Sequence, residues 1–178
     1  GVTTQREIGN WIEENQEWLT DTQARGLPTP RLLYTGPLLD GTRPAYPDGS
    51  LVLLDELDAR RVTNELIDKG ATSLKVYFRL PLTLMEAVIE EADRRRVPVH
   101  GHLEIVDPRD AIALGLDGLE HTTSVGRALL PAKESEAFRQ AVYADNAARM
   151  PGRYRVWAQI DPAGEPALGP AGRRRTVH

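Results

Sequence analysis

Apolar and polar positions follow two different rhythms along this chain. Residues 73–80, SLKVYFRL, alternate strictly: Leu74, Val76 and Phe78 share one face, and Lys75, Tyr77 and Arg79 share the other. That is the period of a strand, carried by residues that favour strands. On either side the period moves to about 3.6 residues. Leu57, Val62, Leu66 and Ile67 predict a helix over 56–70, stopped by Gly70. Thr83 with Glu86 three residues on reads as a capping box, opening a helix to about Arg95 with Met85, Ile89 and Ala92 on one face. RLLYTG (31–36), VPVHGH (97–102) and LDGLEH (116–121) predict further strands. Asp107-Pro108 is a helix start and Gly115 its end; residues 133–149 read as a last helix. GVTTQREIGN (1–10) opens in strand-like fashion, and residues 10–30 and 36–50 read as long loops.

The resulting β-α-β-α-β series with short links predicts a parallel sheet covered by helices. Right-handed crossovers then give either an open doubly wound sheet or a barrel. No Gly-rich dinucleotide fingerprint or phosphate loop follows any strand. The composition narrows the classes further. The 178 residues are 27% charged with a formal charge of -4, which argues against a nucleic-acid partner. No apolar run reaches the roughly 18 residues of a membrane span. With no Cys, a disulfide scaffold, a thiolate metal ligand and a Cys nucleophile are excluded. The chain opens on Gly1 with no visible signal peptide, so localisation stays open.

Chemistry is expected at the strand ends. In parallel α/β folds, ligands bind at the carboxyl ends of strands, where His100, His102 and His121 fall. His100 and His102 are two apart and share a face. Lys75, Tyr77 and Arg79 line a barrel interior if the apolar set packs on helices. A lysine there is costly unless paired or modified. Carboxylation by carbon dioxide is one solution: it converts the amine into an anionic oxygen ligand able to bridge two metal ions, with histidines supplying nitrogen. Such ions activate water and polarise a carbonyl. Taken singly, a strand lysine more often snorkels to solvent and a strand-end histidine is more often satisfied by the backbone. A lysine strand followed by two histidine strands is a rarer combination.

Four stretches carry a resemblance: GVTTQREIG (1–9), GATSLKVYF (70–78), VPVHGHLE (97–104) and AIALGLDGLEHTTS (111–124). Together the chain resembles the amidohydrolase superfamily, in its imidazolonepropionase-like and prolidase-like branch. The resemblance implies an α/β fold, an incomplete TIM (β/α)8 barrel of roughly strands two to six. The partial barrel domain would span 1–160 and an irregular Gly/Pro/Arg-rich tail 161–178. It implies Lys75 as a carboxylated bridging ligand, His121 as the sixth-strand ligand and His102 as the fifth-strand ligand, with His100 the alternative. Tyr77 and Arg79 would contact substrate. The implied cofactor is a divalent metal, zinc by default, one or two ions in a complete enzyme. The implied activity is hydrolysis of amide, lactam or peptide-like carbon-nitrogen bonds of a small molecule by metal-activated water.

The departures from the family pattern matter as much. No first-strand His-x-His pair and no eighth-strand Asp is found, and Asp161 comes too early in the topology for the latter. A full barrel takes about 250 residues. The chain is therefore expected to be the middle of a barrel, inactive by itself. Its open edges would favour self-association. The alternative is a non-catalytic α/β binding or interaction module derived from such a barrel.

Overall fold

The computed structural model describes residues 1–160. The tail expected over 161–178, including Asp161, lies outside the described residues. The elements run β1 (Thr4–Glu7), α1 (Ile12–Ala24), β2 (Arg31–Tyr34), β3 (Leu38–Asp40), β4 (Ser50–Val52), α2 (Glu56–Asp68), β5 (Leu74–Val76), α3 (Leu82–Arg95), β6 (Val99–Gly101), α4 (Pro108–Ala113) and β7 (Gly118–Leu119). Three helices follow: α5 (Gly126–Leu129), α6 (Ala132–Ala144) and α7 (Arg149–Ile160).

All pairings are parallel. One sheet has the order β4-β3-β5-β6-β7, and β1 pairs with β2. β2 and β3 are two halves of one stretch, interrupted at residues 35–37. β1 borders its first half and β4 its second. On the opposite edge, Thr72 N–H donates to the Tyr34 carbonyl and β3 pairs with β5. In chain order this places β1, the β2/β3 stretch, β5, β6 and β7 side by side, a partial barrel of the expected extent.

The core lies between the sheet and α2 and α3. Leu39, Leu74, Val76 and Val99 are buried against Val62, Leu66, Met85, Val88, Ile89 and Ala92. Asp55 caps α2 by accepting from the Asp58 N–H, and Asp107 caps α4 by accepting from Arg109 N–H.

Several local expectations are corrected. The stretch 10–30 holds α1, a helix with only Ile12, Asn15 and Thr22 buried, so its apolar period is faint. It is pinned by polar contacts instead: Trp11 Nε1 donates to Asp48 O, and Lys69 pairs with Glu13 at 2.6 Å. Thr83 is not the cap of α3. The Pro81 carbonyl accepts from Met85 N–H and closes the first turn, so the helix starts at Leu82. Leu57 is exposed, and the buried face of α2 is Ala59, Val62, Thr63 and Leu66. The last helix expected over 133–149 ends earlier, at Ala144, and a further helix, α7, begins at Arg149. Asp145 ends α6 in extended backbone and its side chain accepts from Ala147 N–H, turning the chain into α7.

Candidate functional site

The register of the strands gathers the polar residues. Lys75 is in register with His100, and His100 with Gly118. In-register residues of parallel strands point to the same face, and residues two further on return to it. Lys75, His100, His102 and Glu120 therefore converge at the carboxyl ends of β5, β6 and β7. Gly118 makes room for this: a Cβ there would lie 2.5 Å from His100 Nδ1.

Two sub-clusters form. In the first, Arg6 of β1 donates from Nη2 to Glu120 Oε1 at 2.6 Å, tying β1 to the end of β7. His100 Nδ1 lies 3.8 Å from the same oxygen. Lys75 Nζ donates to the Ile8 carbonyl at 3.3 Å. Burial pushes the Lys75 amine below the ordinary lysine range, against the pull of Glu120 and Glu7.

The second sub-cluster centres on His102, 3% exposed. Its ring meets that of Tyr77 at 4.8 Å and that of His121 at 4.7 Å, both edge to face. Its Nδ1 is buried with no hydrogen-bond partner, and Arg153 Nη2 lies 2.6 Å from its Nε2. Glu104, 1% exposed, accepts from Arg149 Nε at 2.6 Å through one oxygen and from Arg153 Nε through the other. Arg149 also reaches Tyr77 Oη at 3.4 Å and lies over the Phe78 ring, 4.1 Å from its centroid. Burial alone would raise the Glu104 pKa; His102, Arg149 and Arg153 outweigh it and hold the carboxyl below its ordinary range. Burial likewise lowers the His102 pKa, against the pull of Glu104.

His121 follows β7 and is exposed, with φ 61 and ψ 138. That backbone conformation costs a residue with a Cβ about 1–3 kcal/mol and clusters at functional sites. His121→Gly is expected to be more stable than His121→Ala by about 1 kcal/mol in urea unfolding. Equal stabilities would show that the position is relaxed.

Arg79 stands apart from both sub-clusters. Its Nε donates to Thr42 O at 3.0 Å, and its Nη atoms donate to Val142 O, Tyr143 O and Asn146 Oδ1. These bonds fasten the end of β5 to the end of α6. The substrate contact expected of Arg79 thus meets a side chain engaged with main-chain carbonyls, whereas Tyr77 stands against His102.

Beside Lys75, His100, His102 and His121 stand five residues that the sequence motifs do not mark: Arg6, Glu104, Glu120, Arg149 and Arg153. The signal for the last two was their spacing of four, which puts both on one face of α7. An apolar cavity of about 190 Å³ between α6 and α7 is lined by Leu130, Phe138, Gly152 and Val156 among others, away from these histidines.

The donor set agrees in kind with a divalent metal. Two imidazoles, His102 and His121, stand ring to ring, with the buried Lys75 on the neighbouring strand β5. Among the described residues, no three His, Cys, Asp or Glu side chains gather as a ready metal-binding group.

No protein-family model matches this sequence, and no curated protein matches it. Solved structures do. Bottromycin amidohydrolase matches at 26% identity and TM-score 0.59, over 78% of this chain and 31% of its own. A putative prolidase from Bifidobacterium longum matches at 20% identity and TM-score 0.59, over 88% of this chain and 46% of its own. A Xaa-Pro dipeptidase with methionine bound in its active site matches at 15% identity and TM-score 0.56, over 90% of this chain and 50% of its own. The chain thus spans a third to a half of the length of these hydrolases. The partial parallel barrel is thus similar in fold to these amidohydrolase and prolidase structures, at weak sequence identity.

Proposed function

We propose that this chain carries one side of the site of a metal-dependent hydrolase acting on carbon-nitrogen bonds of amide, lactam or peptide-like small molecules. The observation behind the reading is the His102–His121 ring pair at the carboxyl ends of β6 and β7, beside the β5 strand whose Lys75 lies in register with His100. Lys75 is buried and driven toward its neutral amine, the form that reacts with carbon dioxide. Its nitrogen adds to the carbon of carbon dioxide and releases one proton, leaving an anionic carbamate with two oxygen donors. His102 and His121 would supply nitrogen donors, with His100 the alternative on β6. A divalent ion, zinc by default, would polarise the scissile carbonyl and activate water. Tyr77 walls the site beside His102.

The chain holds neither the first-strand histidine pair nor the eighth-strand aspartate of the family pattern. The expected result is weak binding of zinc or cobalt, strengthened by bicarbonate, with little or no turnover of acyl-proline dipeptides. Replacing Lys75, His102 and His121 together should abolish the metal binding, and Lys75→Met alone should abolish the bicarbonate effect. Metal binding unchanged in the triple variant would overturn the reading. Stoichiometric, tightly held zinc with turnover would overturn the incomplete-site part of it.

A second reading has an observation of its own. The clamp of Arg149 and Arg153 on Glu104 and His102 resembles a structural network more than an open site. It favours a non-catalytic α/β module derived from such a barrel. Under that reading the triple variant changes nothing but local stability.

A further inference from the structure

The strongest unassigned feature is the way α7 enters the site. Arg149 and Arg153 are four apart, so their side chains leave the same face of the helix. Both end on Glu104, one on each oxygen. Arg153 alone goes further, placing Nη2 2.6 Å from His102 Nε2. The same Glu104 oxygen that meets Arg153 lies 3.6 Å from that Nε2. One guanidinium therefore bridges a carboxylate oxygen and an imidazole nitrogen, the two donor types that a hard or borderline divalent cation takes.

The protonation pattern makes this contact exclusive. A guanidinium is always charged and can only donate. For Arg153 to bond His102 Nε2, that nitrogen must present its lone pair. The ring is then neutral with its proton on Nδ1, the atom that is buried without a partner. The lone pair that accepts from Arg153 is the one an imidazole gives to a metal, and it cannot serve both.

We propose that the guanidinium of Arg153 stands in for a cation on His102 and Glu104, so that α7 and a divalent metal compete for the same atoms. The proposal rests on the metal-site reading above and adds to it a ligand, Glu104, and an internal competitor, Arg153. Metal loading then requires the first turns of α7 to leave the site, and α7 in place holds the chain metal-free.

The test is titration of the whole chain with cobalt(II), read by its visible absorption and by calorimetry, in the presence of bicarbonate. Arg153→Met keeps the length and apolar stem of the side chain and removes the cation. It should tighten cobalt binding about tenfold or more, since charge-assisted bonds of this kind carry that much. Adding His102→Asn or Glu104→Gln to Arg153→Met should remove the gain. Arg153→Lys, which keeps a charge, should fall between. If Arg153→Met leaves a His102-dependent affinity unchanged, the competition is overturned and the metal reading stands. If neither chain shows a His102-dependent cobalt signal, the metal reading itself has failed. Should Arg153→Met lose its helical circular dichroism, hydrogen exchange of the unaltered chain decides. Saturating cobalt should speed exchange across 149–157, and unchanged exchange at saturation overturns the proposal.

Discussion

Glu104→Gln is expected to lower folding stability by about 3–5 kcal/mol, because it strips the counterion from two guanidiniums that cannot shed their charge. Glu104 is 1% exposed, and the Arg149 and Arg153 side chains beside it are 9% and 17% exposed. Gln keeps one acceptor oxygen for Arg149 but turns an amide N–H toward Arg153, so a donor faces a donor. The stabilisation has a definite pH window. The carboxyl is held below its ordinary range. Its contribution is therefore complete above the unfolded carboxylate pKa and is lost as pH falls through the lower folded value. Urea unfolding at pH 7 should show the drop, and the gap between the two proteins should narrow in acid. Replacing Glu104, Arg149 and Arg153 together by Met should recover most of the loss, since a well-packed apolar replacement of a buried ionic group is often neutral or better. A loss under about 1 kcal/mol for Glu104→Gln would mean that water already reaches the pair.

Asp40 should show the opposite pH dependence. It ends β3, is fully buried, and accepts through Oδ1 from the N–H groups of Gly41 and Arg79 at 2.9 and 2.8 Å. Its Oδ2 is buried without a partner. The backbones are close here: a Cβ on Gly41 would overlap the Arg79 carbonyl. Burial pushes the Asp40 carboxyl up to about 6, against the two N–H bonds and the charge of Arg79. The folded chain therefore binds a proton that the unfolded chain, near pKa 3.8, has already released. Stability is then lost as pH rises from about 4 to about 6, by up to roughly 3 kcal/mol at 1.4 kcal/mol per unit. Asp40→Asn carries no charge at any pH and keeps the Oδ1 acceptor. It should be more stable than the unaltered chain at pH 7 and lose that advantage by pH 4. A difference that does not move between pH 4 and 7 would show that Asp40 titrates normally.

Much of the scaffold could be read from local pattern. The alternation of 73–80 and the β-branched 97–102 located β5 and β6, but both strands are shorter than the pattern. Past Val76 the chain turns, with Leu80 N–H donating to Tyr77 O, and past Gly101 His102 N–H is taken by Val76 O. Alternation marks which residues are buried on which face, and burial continues beyond the ladder. α1 escaped the same test because few of its residues are buried, so polar ties rather than an apolar stripe hold it.

The candidate site divides along the same line. Lys75, His100, His102 and His121 were visible because parallel strands in register bring strand ends together, and position within a strand is a local property. Arg149 and Arg153 were not, since their partners lie 45 to 72 residues away in the chain. Nothing local requires an arginine on α7 to meet a glutamate after β6. Sequence alone determined the parallel α/β order, the lysine and histidine strands, and the absence of thiol chemistry, because periodicity, caps and residue type act within a few positions. Only the tertiary structure decided that Arg79 braces α6, that Arg6 closes on Glu120 and that Arg153 holds the His102 lone pair. Those outcomes depend on which distant groups the fold brings beside a buried polar atom or charge, and burial favours such pairing.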